Sequence, residues 1–140
     1  MKAARVIFGG LLLAVPGSLA AAADDSLSTH GKAVYDQHCL VCHQADGGGV
    51  PNMQPELWSS PRLNGPAPAL IRFILHGSAD LPPEQRSHDN IMPGFATLFD
   101  EDLAALLSYL RQTFDNEAPA ITAAQIARVR AAEQMSADDS

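Results

Sequence analysis

The pentapeptide Cys39-Leu40-Val41-Cys42-His43 places two thiols and an imidazole within five residues. On a helix these three side chains are related as i, i+3 and i+4, so they leave one face of the helix about one turn apart. The C-x-x-C-H order is the attachment motif of a c-type heme. Each thiol can form a thioether with one vinyl group, while the imidazole of His43 reaches the iron as proximal ligand. The motif therefore predicts one heme c, covalently attached through Cys39 and Cys42.

Three other chemistries use closely spaced cysteines. A thioredoxin-like C-x-x-C is expected near a βαβ pattern, whereas this chain has almost no run that indicates a strand. A structural zinc site needs four ligands, and Cys39 and Cys42 are the only cysteines. A disulfide between them would close a very short loop, which gains little in the chain-entropy account of disulfides. A heme-free thiol-disulfide oxidoreductase stays open as an alternative.

The first 23 residues have the pattern of a secretory signal peptide. Lys2 and Arg5 form a charged start, residues 6–15 are apolar, and small residues follow. This pattern predicts export, cleavage after Ala20 or Ala23, and a periplasmic protein with no membrane span. The predicted units are a signal peptide at 1–23, a main domain at 24–118 and a C-terminal helical tail at 119–140.

The charge balance narrows the class of partner. Sixteen acidic residues face nine basic ones, for a formal charge of −7, and loss of Lys2 and Arg5 with the signal peptide would make it −9. Such a surface argues against nucleic acid and against anionic lipid. We therefore expect a protein partner that is basic or that docks through an uncharged patch.

Helix signals dominate the rest of the chain. Ser28 or Thr29 is expected to cap a helix that runs into the heme motif. Residues 70–75 form an apolar run that Gly77 should end. After it comes the strongest helix, with acidic residues at 100–102 in its first turn. Its apolar stripe has i, i+3, i+4 and i+7 spacing and consists of Leu103, Leu106, Leu107, Leu110 and Phe114.

The C-terminal tail carries its own helix signal. Thr122 and Gln125 form a capping box, with Ile121 and Ile126 as a hydrophobic staple. This helix is predicted to end near residue 133, with a frayed terminus from residue 136. Proline-rich stretches at 50–69 and 78–90 separate the helices and cannot be continuous helix or central strand. The chain is therefore predicted to be all-α.

A heme held by one imidazole still has an open axial position. Met92 is the best candidate for it, because it lies in a proline-bounded loop just before the strongest helix. Pro93 restricts the backbone there. Met53 is a weaker candidate, and a methionine can also simply fill a gap in a core. We do not expect His76 or His88 to be ligands, since His76 closes a helix and His88 lies in a polar stretch that indicates the surface.

In combination these motifs resemble the class I c-type cytochromes over about residues 28–115. Gly31, Tyr35 and Cys39, at four-residue spacing, look like the family's N-terminal helix, which packs against the C-terminal helix, here at Ala105 and Tyr109. The resemblance implies the class I cytochrome c fold, in which these two helices cross around one covalently attached heme. It also implies an electron carrier that is not itself an enzyme.

The resemblance assigns further residues around the heme. Pro55-Glu56-Leu57 is similar to the family's P-x-L, whose proline carbonyl accepts a hydrogen bond from the proximal imidazole. Met92-Pro93 looks like the distal methionine, so the implied iron ligands are His43 and Met92. We further expect apolar walls that keep water off the iron, formed by Leu70, Ile74, Phe95, Leu98 and Leu107.

Some positions depart from the family pattern. Phe99 stands where a small capping residue is common, which suggests that Asp100 takes over the cap. Trp58-Ser59-Ser60 replaces a glycine-containing stretch, and Trp58 and Arg62 are candidate donors to a heme propionate.

The segment at 70–77 and the Thr122-capped tail look most like small cytochromes that accompany periplasmic dehydrogenases. The implied partners are a dehydrogenase as electron donor and an oxidase or another cytochrome as acceptor. An open-site heme enzyme or gas sensor is the alternative from another class.

Overall fold

The computed structural model describes residues 18–86, 88 and 90–138, with side chains from residue 26 onward. Within these ranges there is no β-strand, only an isolated bridge between Val50 and Gln54. The elements are helices α1 (Ser18–His38), α2 (Leu40–His43), α3 (Ala67–His76), α4 (Asp100–Gln112) and α5 (Ala123–Asp138), and one 3-10 turn (Pro83–Gln85). The all-α prediction is confirmed.

Helices α1 and α4 cross at the positions expected from the sequence. A Cβ atom at Gly31 would overlap the carbonyl oxygen of Ala105 and lie 2.6 Å from Cβ of Tyr109. The rings of Tyr35 and Tyr109 lie beside this crossing, with centroids 5.8 Å apart. A residue without a side chain is therefore required where the two backbones meet.

Helix α1 begins at Ser18 and not at the predicted cap of Ser28 or Thr29. Alanine has the highest helix propensity, and the alanine-rich residues 20–23 continue the helix toward the N-terminus. The proposed signal cleavage sites fall within α1, and residues 1–17 lie outside the described residues. The signal peptide and the domain boundaries stay predictions.

Helix α4 begins at Asp100, with Phe99 at the N-cap position. The predicted cap by Asp100 is wrong, because its Oδ1 instead accepts a hydrogen bond of 2.9 Å from Nε of Arg130. The four leucines of the apolar stripe are buried as predicted. Phe114 lies beyond the end of α4 in a left-handed conformation (φ 53°). It packs there against Tyr35 and Tyr109.

The capping box at the start of α5 is confirmed. The Thr122 N–H donates to Oε1 of Gln125 at 2.8 Å, and the Gln125 N–H donates to Oγ1 of Thr122 at 3.3 Å. The staple residues Ile121 and Ile126 are both buried. The helix continues to Asp138, so the predicted end near residue 133 is wrong. Ser136 is part of the helix and donates its hydroxyl hydrogen to the carbonyl of Ala132.

The length and composition of the helices decide whether any of them could cross a membrane. Over residues 18–86, 88 and 90–138, none of them combines the length and the apolar composition needed to cross a bilayer.

Candidate heme site

A cavity of about 600 Å³ opens between the helices and the two proline-rich stretches that separate them. Its size falls in the range of about 300–1,000 Å³ that is usual for small-molecule and cofactor sites. The lining includes every residue predicted to bind the heme, namely Cys39, Cys42, His43, Pro55 and Met92. Residues that are far apart in the sequence thus converge on one space. Their individual roles as heme ligands stay predictions.

His43 has the surroundings of a metal-binding imidazole. Its Nδ1 lies 3.1 Å from the carbonyl oxygen of Pro55, so Nδ1–H donates and Nε2 keeps its lone pair for a metal. Burial lowers the pKa of His43, the hydrogen bond to Pro55 opposes this shift, and nearby His88 lowers the pKa further. The neutral imidazole is the form that coordinates iron, and these surroundings favour it.

The two thiols are unbonded in the structure, with Cys39 buried and Cys42 half-buried. Burial raises the pKa of Cys39 to about 12, and the neighbouring Cys42 adds to the shift. A thiol-disulfide oxidoreductase relies on a thiolate with a lowered pKa. The neutral Cys39 thiol therefore argues against that alternative and leaves both sulfurs available to attach a cofactor.

A buried asparagine anchors the loop on the proximal side. Asn116 is 3% exposed, and its amide spans the end of α4 and the segment that follows Pro55. It donates to the carbonyls of Leu57, Leu110 and Thr113 and accepts from the Ser60 N–H and from Nδ2 of Asn64. Nothing in the sequence singled out this residue, because an asparagine in a turn carries no motif that marks it as buried.

Asn64 belongs to the same network. Its Nδ2 donates to the carbonyl of Ser60 and to Oδ1 of Asn116, and its Oδ1 accepts from the Glu117 N–H at 3.1 Å. The next residue, Gly65, donates its N–H to the carbonyl of Arg62. Side chain and following backbone are thus both held in place.

Arg111, in the last turn of α4, is a second anchor. It is 5% exposed. Its guanidinium donates to the carbonyls of Leu63, Gly65 and Pro119 at 2.8–2.9 Å. It thereby ties the loop before α3 to the segment that leads into α5.

The backbone around Met92 is fixed to the end of α3. The Met92 N–H donates to Oγ of Ser78 at 2.9 Å, and the Ser78 N–H donates to the Met92 carbonyl at 3.0 Å. The Phe95 N–H donates to the carbonyl of Ile74. Gly77 ends α3 with φ 73°, and a Cβ atom there would overlap the Met92 carbonyl. The half-buried Met92 side chain therefore projects from a rigid loop into the cavity lining.

Three of the five predicted wall residues line the cavity: Leu70, Ile74 and Phe95. Leu98 and Leu107 do not, and Leu106 and Leu110 of α4 take their place. The stripe on α4 is buried on all sides, so its spacing alone could not show which leucines face the cavity. The predicted apolar character of the wall nevertheless holds.

Two polar residues lie in unexpected places. His88, which the sequence indicated to lie at the surface, is half-buried and lines the cavity. Trp58 is not free to contact a propionate, since its Nε1–H donates to the Asp46 carbonyl at 2.7 Å. Arg62 does line the cavity, with its guanidinium 3.8 Å above the ring of Phe73.

The residues present fit a heme. The lining combines two thiols, an imidazole with a free Nε2, a thioether and apolar side chains, which is the donor set of heme c. One buried polar atom of the described residues, Oε1 of Gln54, has no hydrogen-bond partner, and Gln54 belongs to the same lining. A buried polar atom of this kind is ready to bond with a polar group of a cofactor.

Comparisons with known proteins give the same picture. A sequence model described as Cytochrome c matches residues 28–114. The chain is 33% identical over 113 residues to an alcohol dehydrogenase (quinone) cytochrome c subunit of Gluconacetobacter polyoxogenes, covering 78% of this chain and 24% of that protein. It is 33% identical over 119 residues to a gluconate 2-dehydrogenase cytochrome c subunit of Pantoea cypripedii, covering 81% and 26%.

A third relative is a smaller protein. Cytochrome c-552 of Thermus thermophilus is 32% identical over 111 residues, which cover 76% of this chain and 69% of that protein. By contrast, the chain spans only about a quarter of the length of the two dehydrogenase subunits. The matched region contains the C-x-x-C-H motif, the α1–α4 crossing and the Met92 loop. The chain therefore belongs to the cytochrome c family, whose members bind heme iron and transport electrons.

Proposed function

We propose that this chain is a periplasmic monoheme c-type cytochrome that transfers single electrons between redox proteins. Cys39 and Cys42 would hold the one heme c, and His43 and Met92 would coordinate its iron. The observation that carries the proposal is the convergence of these four side chains on one cavity. The bound heme supplies reversible one-electron chemistry at its iron.

The remaining residues act on the site through position and solvent exclusion. The Pro55 carbonyl orients the His43 ring, and the hydrogen bond makes the imidazole a stronger ligand. Apolar walls from α3 and α4 lower the polarity around the iron, which favours the less charged reduced state. A Met92 sulfur in the sixth position leaves no coordination site for a substrate, so a carrier fits better than an enzyme.

A periplasmic dehydrogenase is the proposed electron donor, and an oxidase or another cytochrome is the proposed acceptor. Two of the relatives are named as cytochrome c subunits of dehydrogenases, which supports the donor. The signal-peptide pattern of residues 1–23 supports the periplasmic location.

Covalent attachment is tested with protein produced in cells that also contain an active heme-attachment system. After acid acetone extraction we expect the intact mass of the polypeptide plus one heme. The double variant Cys39→Ala, Cys42→Ala should lose the heme under the same treatment. A wild-type polypeptide that loses its colour and retains two free thiols would contradict the proposal.

Ligation by Met92 is tested by substitution. Met92→Ala should abolish the sulfur-to-iron charge-transfer band, lower the reduction potential and allow small ligands to bind. Met53→Ala is the matched control, because Met53 also lines the cavity and its loss should leave the band intact. If His88→Ala changed the spectrum while Met92→Ala did not, His88 would be the ligand. Ready binding of carbon monoxide by the wild type would favour the open-site enzyme or sensor.

A further inference from the structure

Helix α5 lies outside the matched family region of residues 28–114. It packs on α3 and α4 through Ile126 and Val129, which are 0% and 6% exposed. Two polar side chains one turn apart, Arg130 and Glu133, reach from it toward the two segments that frame Met92. The helix is therefore firmly docked and presents polar groups to the distal side of the site.

Arg130 holds the chain that leaves the Met92 loop. Its Nη1 donates to the Ala96 carbonyl at 2.7 Å and its Nη2 to the Leu98 carbonyl at 2.8 Å. Its Nε donates to the Asp100 carboxylate, where α4 begins. The two charged side chains are only 26% and 28% exposed, so this pair is better shielded than an ordinary surface ion pair.

Glu133 holds the chain that enters the same region from the other side. Its carboxylate accepts a hydrogen bond of 3.0 Å from Nε2 of His76, the last residue of α3. The next residue, Gly77, is in close contact with the backbone of Met92. Helix α5 thus contacts both ends of the framework that carries Met92.

The geometry points to α5 as a brace on the Met92 loop, with Arg130 as a positioning residue that controls how readily the Met92 sulfur leaves the iron. This inference rests on the proposed function, because it assumes ligation by Met92. Within the loop, Phe95 is already bonded to α3, so the Arg130 contacts fix the part that remains. Without the Arg130 hydrogen bonds, the Ala96 and Leu98 carbonyls would bond to water instead, and the loop would be free to move away from the cavity.

The test measures access to the iron in the oxidised, heme-loaded protein. Arg130→Gln should bind imidazole about tenfold more tightly than the wild type, since coupling between neighbouring sites is commonly of this order. Its sulfur-to-iron band should also disappear at a lower temperature. Arg130→Lys keeps the charge but not the planar fork, so its imidazole affinity should lie between the two. Arg128→Gln, at an exposed position of the same helix, is the matched control.

Urea unfolding of each variant separates positioning from general stability. Unchanged imidazole affinity in Arg130→Gln, with only a lower unfolding midpoint, would overturn the brace. If Arg130→Gln does not load heme, Arg130→Lys decides: tighter imidazole binding supports the brace and wild-type affinity overturns it. A charge-transfer band that survives Met92→Ala would instead overturn the ligation on which the inference rests.

Discussion

Among single residues, Tyr35 is expected to make the stability of the fold depend on pH. Its side chain is 1% exposed and its hydroxyl donates to the carbonyl of Gln44 at 2.5 Å. Burial, and to a lesser degree Cys39 and other nearby groups, raise the pKa of Tyr35. A raised pKa in the folded state stabilises the fold below the unfolded-state pKa of about 10, and this contribution is lost as the pH rises through the folded-state value.

Tyr35→Phe should therefore have two effects. At neutral pH the free energy of unfolding should fall by about 1 kcal/mol, because one buried hydrogen bond is lost. Above pH 10 the variant should lose less stability than the wild type, because it has no phenol to ionise. Urea unfolding of the heme-loaded protein from pH 7 to 11 measures both. Tyr109→Phe, in the same ring cluster, is the control, and parallel curves for wild type and Tyr35→Phe would contradict the prediction.

At the scale of elements, the α1–α4 crossing depends on Gly31. Alanine would gain about 1 kcal/mol in helix propensity, but its Cβ would overlap Ala105 and force the helices apart, at a cost of about 1–3 kcal/mol. We expect the steric cost to dominate, so Gly31→Ala should lower the free energy of unfolding by up to about 2 kcal/mol.

Ala33→Gly provides the matched control on the exposed side of α1. It should lower the free energy of unfolding by about 1 kcal/mol through propensity alone. If helix propensity decided the outcome, Gly31→Ala would raise the free energy of unfolding and Ala33→Gly would lower it. If the close approach of the two helices decides it, both substitutions lower the free energy of unfolding. A higher thermal unfolding midpoint for Gly31→Ala than for the wild type would contradict the prediction, because it would show that the helices can separate at little cost.

The elements that could be predicted from the sequence are those with local signals. The Gly77 stop, the Thr122 capping box and the leucine stripe of α4 all depend on neighbours within a turn. The predicted cap of α4 failed because it depends on a distant partner: Asp100 is held by Arg130, thirty residues away. The same holds for the site, where the C-x-x-C-H motif is local while the roles of Asn116 and His88 follow from the tertiary fold.

At the scale of the whole molecule, the cavity rim carries a patch of exposed apolar residues, while the net charge is acidic. Met53 and Ile91 are 46% and 54% exposed and line the cavity together with the exposed Pro93. Small redox interfaces of this kind form transient complexes. We expect the rate of electron transfer with the native redox partner to depend only weakly on salt, because apolar docking is not screened.

A charge placed on the rim should disturb this docking. Met53→Lys should slow electron transfer about tenfold, equivalent to about 1.4 kcal/mol. Gln112→Lys adds the same charge outside the cavity lining and should have little effect. Stopped-flow rates across a salt series measure both variants. A steep fall of the wild-type rate with ionic strength would show that the acidic surface is the docking site.

Loss of the cofactor should affect the fold as a whole. Without the cofactor, apolar side chains that line the cavity, such as Leu70, Ile74 and Phe95, would face water. Each would lose about 1.5–3 kcal/mol of burial free energy, and a few such losses are comparable with the total stability of a domain. The double variant Cys39→Ala, Cys42→Ala should therefore show reduced helix content by far-ultraviolet circular dichroism. Cooperative urea unfolding of that heme-free variant, with wild-type helicity, would contradict this expectation.

The hydrogen bonds around Asn64 have a consequence for chemical ageing. In an Asn-Gly sequence the glycine nitrogen can attack the asparagine side-chain carbon, form a succinimide and release ammonia. Here three hydrogen bonds hold the Asn64 amide, and the Gly65 N–H is bonded to Arg62, so the two reacting atoms are held in place. The folded protein should therefore deamidate slowly at Asn64. The unfolded chain should deamidate faster and accumulate aspartate and isoaspartate there.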